Sequence, residues 1–214
     1  ALLARLKETD DVEHEVALVF ALGMQAKTTV DAAAVTALRD LATTGASPPR
    51  ARPPVVHAHA LLALARLTGA ESSGLLLGFL RARHLPGEVR QGAIVGLGLV
   101  GRGLDPVARV AALAEVAEHA DRGNPDTVGL ALLTIGRLLA TAVDDPADRL
   151  SVASPAAALL LREIADGAAA SRRIACLATG FALRAPVPAT QDAMRTVFRE
   201  RAVAALAAAA DDGG

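Results

Sequence analysis

The stretch Val89–Gly101, V-R-Q-G-A-I-V-G-L-G-L-V-G, decides the expected fold of this chain. Small residues stand between larger aliphatic residues in this stretch. The small residues are Gly92, Ala93, Gly96 and Gly98. A helix that is apolar on every side has to be buried against several neighbours at once. Glycine is a poor helix former, so its repeated use here favours close approach of neighbouring backbones. The stretch therefore predicts a central helix in a tightly packed helical protein.

The same register recurs four more times along the chain. Each copy centres on a small residue that follows an aliphatic run and is called the anchor here; the anchors are Gly23, Ala65, Gly98, Gly136 and Gly180. Consecutive anchors are 42, 33, 38 and 44 residues apart, and the residue five before the anchor is alanine in four of the five copies. Irregular periods of this length are typical of repeats made of two helices.

The central copy has the pattern V-R-x-x-A-x-x-x-L-G, and this pattern resembles the HEAT-repeat superfamily. The residues that carry the resemblance are Val89, Arg90, Ala93, Leu97 and Gly98, and the run from Gly92 to Leu99 also resembles the proteasome/cyclosome repeat. The resemblance implies an all-α superhelix, a HEAT-like solenoid of about five to six two-helix repeats. We expect a single domain over residues 1–214 that is part of a longer chain. Such a resemblance specifies a fold better than a function.

A second interpretation of the central stretch is a dinucleotide-binding loop. The residues Gly96, Gly98 and Gly101 spell G-x-G-x-x-G. That motif needs a strand before it and a second strand that ends in an acidic residue about 20 residues later. The region that follows, Ala108–His119, has helical periodicity instead. The sequence therefore favours the helix over the nucleotide site.

Composition limits the classes of protein to which the chain can belong. The chain is 52% hydrophobic and contains no Trp or Tyr, and its formal net charge of −1 argues against a broad nucleic-acid footprint. The single cysteine, Cys176, excludes an intramolecular disulfide. No signal peptide and no uninterrupted apolar run of about 18 residues is visible. We therefore expect no membrane association and favour a cytoplasmic location.

Proline marks several expected helix starts. Four pairs join an N-cap residue to a proline at the first helical position; they are Asp105-Pro106, Asn124-Pro125, Asp145-Pro146 and Ser154-Pro155. Pro54 is expected to begin the helix of the second anchor, after a proline-rich loop over Thr44–Pro54. Asp10 and Glu13 predict a capping box for the helix that leads to Gly23.

No motif for catalysis, metal binding or a cofactor stands out. The runs G-x-S-x-G, H-E-x-x-H, Walker A and C-x-x-C are all missing from the sequence. His57 and His59 form the only close histidine pair, but a spacing of two residues points the two rings to different sides of a helix. The cluster of Asp144, Asp145 and Asp148 is explained by the dipole of a helix start. We therefore predict a protein that is not an enzyme and that has no cofactor and no metal.

Polar residues recur eight positions before the anchors and suggest a binding surface. That row consists of Glu15, His57, Arg90, Val128 and Arg172, with Gln91 and Arg173 next to it and with Arg66 and Arg137 in a second row one residue after the anchor. In HEAT-like proteins the second helix of each repeat lines the concave face, so the resemblance implies that these residues face a partner. The predicted protein-binding residues are Glu15, His57, Arg90, Gln91, Arg172 and Arg173. Ordinary charges at solvated helix ends are the alternative.

The resulting hypothesis is a non-enzymatic scaffold that holds a partner protein or peptide along its concave face. One alternative is a HEAT-like enzyme of the bilin-lyase type. A DNA glycosylase of this superfamily would need aromatic residues and a strongly basic face, which the sequence lacks. The other alternative is a nucleic-acid-binding repeat protein that uses arginines; these are Arg81, Arg83, Arg90, Arg172 and Arg173.

Overall fold

A computed structural model of the chain describes residues 2–25, 31–44, 52–141, 154–184 and 192–211. These residues form α-helices joined by turns and short connections, and no strand occurs among them. The prediction of an all-α fold is therefore confirmed for the described residues. The chain divides into two compact units, Ala1–Gly103 and Leu104–Gly214. The predicted single domain over residues 1–214 stays a prediction.

The described residues of unit 1 form six α-helices. They are α1 (Leu2–Glu8), α2 (Val12–Gly23), α3 (Ala32–Thr44), α4 (Pro54–Thr68), α5 (Ser73–Arg81) and α6 (Gly87–Val100). The helices with an anchor are α2, α4 and α6, and α4 packs against both of the others. Each of the remaining helices packs against the anchor helix that follows it, α1 on α2, α3 on α4 and α5 on α6.

Unit 2 repeats this alternation in the residues that the structure describes. Its helices are α7 (Pro106–Arg122), α8 (Pro125–Thr141), α9 (Pro155–Asp166), α10 (Ala169–Arg184) and α11 (Asp192–Asp211). The anchors Gly136 and Gly180 lie in α8 and α10, and these two helices pack closely against each other. The intervening helices contact their neighbours in order, α7 on α8 and α9, and α9 on α10 and α11.

The helix starts follow the chemistry of the capping residues. The Asp105 and Asn124 side chains accept hydrogen bonds from the backbone N–H groups of Ala108 and Thr127, at 2.8 and 2.9 Å. Proline occupies the first helical position of α4, α7, α8 and α9, as predicted. Such caps pair backbone N–H groups that have no partner inside the helix.

The start of α2 differs from the prediction by one residue. Asp11, rather than Asp10, is the N-cap, and its carboxylate accepts from the N–H of His14 at 2.9 Å. The helix begins at Val12, so Glu13 lies in the first turn and not at the third position that a capping box requires. The acidic first turn still suits the positive end of the helix dipole.

The cores consist almost entirely of aliphatic side chains, and the largest ones are fully buried. In unit 1 these are Leu22, Leu38, Leu61, Leu64, Leu76, Leu80, Ile94 and Leu97, and in unit 2 they are Leu132, Ile135, Leu138 and Phe198. Most of them lie on anchor helices. The apolar runs around the anchors therefore form the core, as the sequence indicates.

A surface ion pair connects the intervening helices of unit 2. The Arg162 guanidinium on α9 lies 2.8 Å from the Asp121 carboxylate on α7. This hydrogen bond raises the pKa of Arg162 above its ordinary value. Both side chains are half exposed, so the pair contributes little to stability.

Several predicted elements lie outside the described residues. These are most of the loop from Thr44 to Pro54, the acidic cluster of Asp144, Asp145 and Asp148, and the helix that Asp145-Pro146 predicts.

Candidate functional site

Within each unit, consecutive anchor helices cross at small residues in a fixed register. A Cβ atom built on Gly23 of α2 would lie only 2.8 Å from the Cβ of Ala63 on α4. A Cβ built on Gly136 of α8 would lie 2.6 Å from the Cα of Ala178 on α10. Ala63 and Ala178 each stand two residues before the next anchor. The anchor of one helix therefore contacts the same position of the next helix in both units.

At the crossing between α4 and α6 the same two positions meet, but here the anchor is the alanine and the residue that faces it is the glycine. The anchor of α4 is Ala65, and the residue two before the anchor of α6 is Gly96. A Cβ on Gly96 would lie 3.5 Å from the Cβ of Ala65. One glycine at each crossing is enough for close approach, so the glycine can come from either helix.

A second contact lies about two turns earlier on the same helices. Gly92 of α6 faces Ala58 of α4, where an added Cβ would lie 2.7 Å from the Cα of Ala58. Gly129 of α8 faces the Cδ1 atom of Ile174 on α10, at 2.8 Å from an added Cβ. In both pairs the contact joins the residue seven before one anchor to the residue six before the next.

The last anchor departs from this pattern. A Cβ built on Gly180 of α10 would meet nothing within 4 Å, and Gly180 is exposed, whereas the other four anchors are buried. Four residues before the anchor, Cys176 is half-buried, while the corresponding residues of the four preceding anchor helices are fully buried; these are Val19, Leu61, Ile94 and Leu132. One face of α10 is therefore open in unit 2.

The predicted polar row is not a uniformly exposed surface. Glu15 and His57 are 2% and 6% exposed, so both face the interior of unit 1 instead of solvent. Glu15 forms an ion pair with Arg52, which lies two residues before the start of α4. A buried carboxylate needs such a partner because desolvation of an isolated charge is costly. The sequence predicts that these two side chains face a partner, whereas in the structure both are buried within unit 1.

The other predicted binding residues are more accessible. Arg90, Gln91 and Arg172 are half-buried, and Arg173 is exposed. The Arg172 guanidinium donates to the carbonyl oxygen of Gly167 at 3.3 Å, which ties it to the turn between α9 and α10. The binding role of all six predicted residues stays a prediction.

A different row of the register includes an exposed side chain on every anchor helix. It consists of the residue one after the anchor together with the residue three before it, and we call it the exposed stripe. In unit 1 the pairs are Phe20/Met24, Leu62/Arg66 and Val95/Leu99, and in unit 2 they are Leu133/Arg137 and Leu177/Phe181. Leu62, Val95 and Leu133 are half-buried, and the other seven side chains are exposed. Phe20 and Leu177 are 59% and 61% exposed.

The exposed stripe combines large apolar side chains with arginine. Sequence analysis identified Arg66 and Arg137 as a second row and missed the apolar members, which in sequence look like core residues. The available signal was the spacing of four residues within each pair, which places both side chains on one side of a helix. Aromatic, aliphatic and arginine side chains exposed together are typical of protein-binding surfaces.

The glycine run in the central stretch has a structural role. Gly96 and Gly98 lie inside α6, so the run does not form the loop between a strand and a helix that a dinucleotide site requires. Gly96 packs against Leu76 as well as Ala65. Within the described residues, no group of three or more His, Cys, Asp or Glu side chains could hold a metal ion.

One helical stretch in the described part of the chain, Pro54–Arg81, is long and apolar enough to cross a membrane. Half of its most apolar window is buried inside the structure. It comprises α4, a 3-10 turn and α5, and Gly69 in the turn has a φ of 60°. Because α4 packs against α2, α3 and α6, the apolar character of this stretch is explained by its place in the core.

No protein-family model and no curated protein sequence matches this chain.

Proposed function

We propose that this chain is a HEAT-like helical-repeat scaffold without enzymatic activity and that it binds a partner protein or peptide through the exposed stripe. In a HEAT-like solenoid the anchor helices would be the second helices of successive repeats, and the exposed stripe would lie on the concave face. The architecture is supported by the alternation of anchor and intervening helices and by the shared register of the crossings.

The single observation that carries the binding role is the composition of the exposed stripe. In unit 1, three helices that pack in order present exposed side chains: Phe20 on α2 and Met24 at its C-cap, Arg66 on α4 and Leu99 on α6. Apolar side chains exposed on packed helices remain in contact with water unless a partner covers them, and their burial contributes roughly 25 cal/mol per Å². Aromatic and arginine side chains are the types that most often dominate binding energy.

The test is affinity capture from the native source, with the immobilised parent compared with two double variants. The stripe variant carries Arg66→Gln and Leu99→Gln. The matched control carries Val107→Gln and Val110→Gln on α7, where the two valines are 80% and 64% exposed but lie outside the exposed stripe. Both variants should keep the parental stability, because surface substitutions usually change it by less than about 0.5 kcal/mol.

Calorimetric titration then uses a protein that the parent and the control variant retain equally. Its affinity is measured for the parent, the stripe variant and the control variant. The stripe variant should bind it at least about tenfold more weakly, which corresponds to about 1.4 kcal/mol. Equal affinity of the parent and the stripe variant would contradict the proposal, as would a larger loss in the control variant.

A further inference from the structure

The open face of α10 is defined by Arg173, Cys176 and Gly180. Its residues occupy the positions that form a helix crossing on the other anchor helices, but no described helix packs against them. In each of the three crossings described above, the anchor meets a small residue of the next anchor helix. Around Gly180 there is space for that contact and no atom within 4 Å of an added Cβ. The sequence of α10 thus has the small residue of a helix crossing at a place where the described residues of unit 2 provide no helix.

The matching half of such a crossing is present on α2. Glu13, Ala17 and Ala21 follow one another at intervals of four residues, and together they define the receiving face of α2. Ala21 stands two residues before its anchor, the position that Ala63 and Ala178 occupy in α4 and α10. Those two alanines are buried against the preceding anchor helix, whereas Ala21 is half-buried and Ala17 is exposed.

We propose that the receiving face of α2 in a second copy of this chain docks on the open face of α10, in the register by which α10 itself packs on α8. Gly180 then meets Ala21 of the second copy, as Gly136 meets Ala178. Arg173 meets Ala17 of the second copy, as Gly129 meets Ile174. The contact continues the packing that joins α8 and α10 within unit 2.

Charge complementarity supports this pairing of unlike faces. Arg173 on α10 and Glu13 on α2 are both exposed. In the proposed register Glu13 lies one helical turn, about 5.4 Å, from the residue that faces Arg173, and the long arginine side chain can span this distance. Pairing of two α10 helices would instead bring Arg173 and Arg184 of both copies together, and like charges in an interface oppose association.

A contact between two different faces is heterologous and leaves both outer faces available for further copies. The proposal therefore predicts head-to-tail association whose average size increases with protein concentration.

The experiment uses sedimentation velocity on the 214-residue chain over a concentration series that extends to about 1 mM, where weak contacts are populated. Gly180→Glu blocks the open face, and Ala17→Arg blocks the receiving face. Both positions are exposed, so folding should be retained, and far-UV circular dichroism checks this. The matched control is Gly78→Glu, because Gly78 is also exposed and an added Cβ there would meet nothing within 4 Å.

The expected result has three parts. The parent and the Gly78→Glu variant associate alike, and each of the two blocking variants associates at least about tenfold more weakly. An equimolar mixture of the Gly180→Glu and Ala17→Arg variants forms a dimer that does not grow, because each variant keeps the one face that the other lacks. Dimer formation by the mixture identifies the interface between α10 and α2. The test of the exposed stripe substitutes residues of α4 and α6 instead, so the two proposals can fail independently.

Three outcomes would overturn the proposal. The first is a parent that stays monomeric up to the highest concentration. The second is a parent whose association is unchanged by either blocking variant. The third is a mixture that remains monomeric although the parent associates, since that result would place the contact on other surfaces.

Discussion

Helices α8 and α10 have the same register around their anchors but different surroundings. The anchor of α8, Gly136, is buried, and an added Cβ would lie 2.6 Å from the Cα of Ala178. The anchor of α10, Gly180, is exposed and faces open space. Four residues before the anchor, Leu132 is fully buried while Cys176 is half-buried. The two helices therefore differ in whether a further helix covers the face that the anchor defines.

This difference shows that the glycine at an anchor and the helix that packs against it are separate features. A glycine at the anchor makes close helix packing possible, at a cost of about 1 kcal/mol in helix propensity relative to alanine. At Gly136 the cost is offset by the packing of α10 on α8. At Gly180 the cost remains without a compensating contact in unit 2, so substitutions at equivalent positions should have different effects.

The largest difference is expected four residues before the anchors. Leu132→Ala should destabilise unit 2 by about 2 to 5 kcal/mol, because it removes a fully buried side chain and leaves a cavity. Cys176→Ala should cost less than about 1 kcal/mol, since it removes one atom from a half-buried site. Urea denaturation followed by far-UV circular dichroism measures both, because the chain has no Trp or Tyr for fluorescence. Equal losses would show that the two positions are equally covered.

A smaller loss is expected at the first crossing of unit 1. Gly23→Ala should cost about 1 to 3 kcal/mol, because the added methyl group would overlap both the Cα and the Cβ of Ala63. Gly78→Ala on α5 is the control and should stabilise unit 1 by up to about 1 kcal/mol, since its surroundings are open. Denaturation midpoints that move in the same direction would contradict the crossing at Gly23.

The smallest effect is expected at Gly129, on the same helix as Gly136. The atom that an added Cβ would meet there is Cδ1 of Ile174, the end of a side chain that can adopt another rotamer. The cost of that adjustment and the gain in helix propensity should nearly cancel, so Gly129→Ala should change stability by less than about 1 kcal/mol. A loss above about 2 kcal/mol would mean that Ile174 is held rigidly at the crossing.

Much of the fold could be predicted from local sequence signals. Proline after a candidate N-cap residue predicted the starts of α7, α8 and α9, and proline alone predicted that of α4, because these signals act within one helical turn. The Ser154 side chain makes no capping hydrogen bond at the start of α9. The anchor register predicted which helices carry the core. It also indicated small-residue crossings, and Gly23 and Gly136 are such crossings.

The functional surface was harder to predict because it depends on contacts between distant residues. The burial of Glu15 requires Arg52, which lies in another segment and forms an ion pair with it. Phe20, Leu99 and Phe181 have the residue types of a core, and only the packing of the anchor helices leaves them exposed. Sequence periodicity assigns a residue to a helix face, but it does not show which face a neighbour covers.

The most direct test of the shared register is the pair Gly136→Ala and Gly180→Ala, measured by chemical denaturation at low protein concentration. The same substitution should have opposite effects. Gly136→Ala should destabilise unit 2 by about 1 to 3 kcal/mol, because its methyl group meets the backbone of α10. Gly180→Ala should stabilise it by about 0.4 to 1 kcal/mol, because alanine restricts the unfolded chain and meets nothing in the folded one. Changes of the same sign at both anchors would contradict the account.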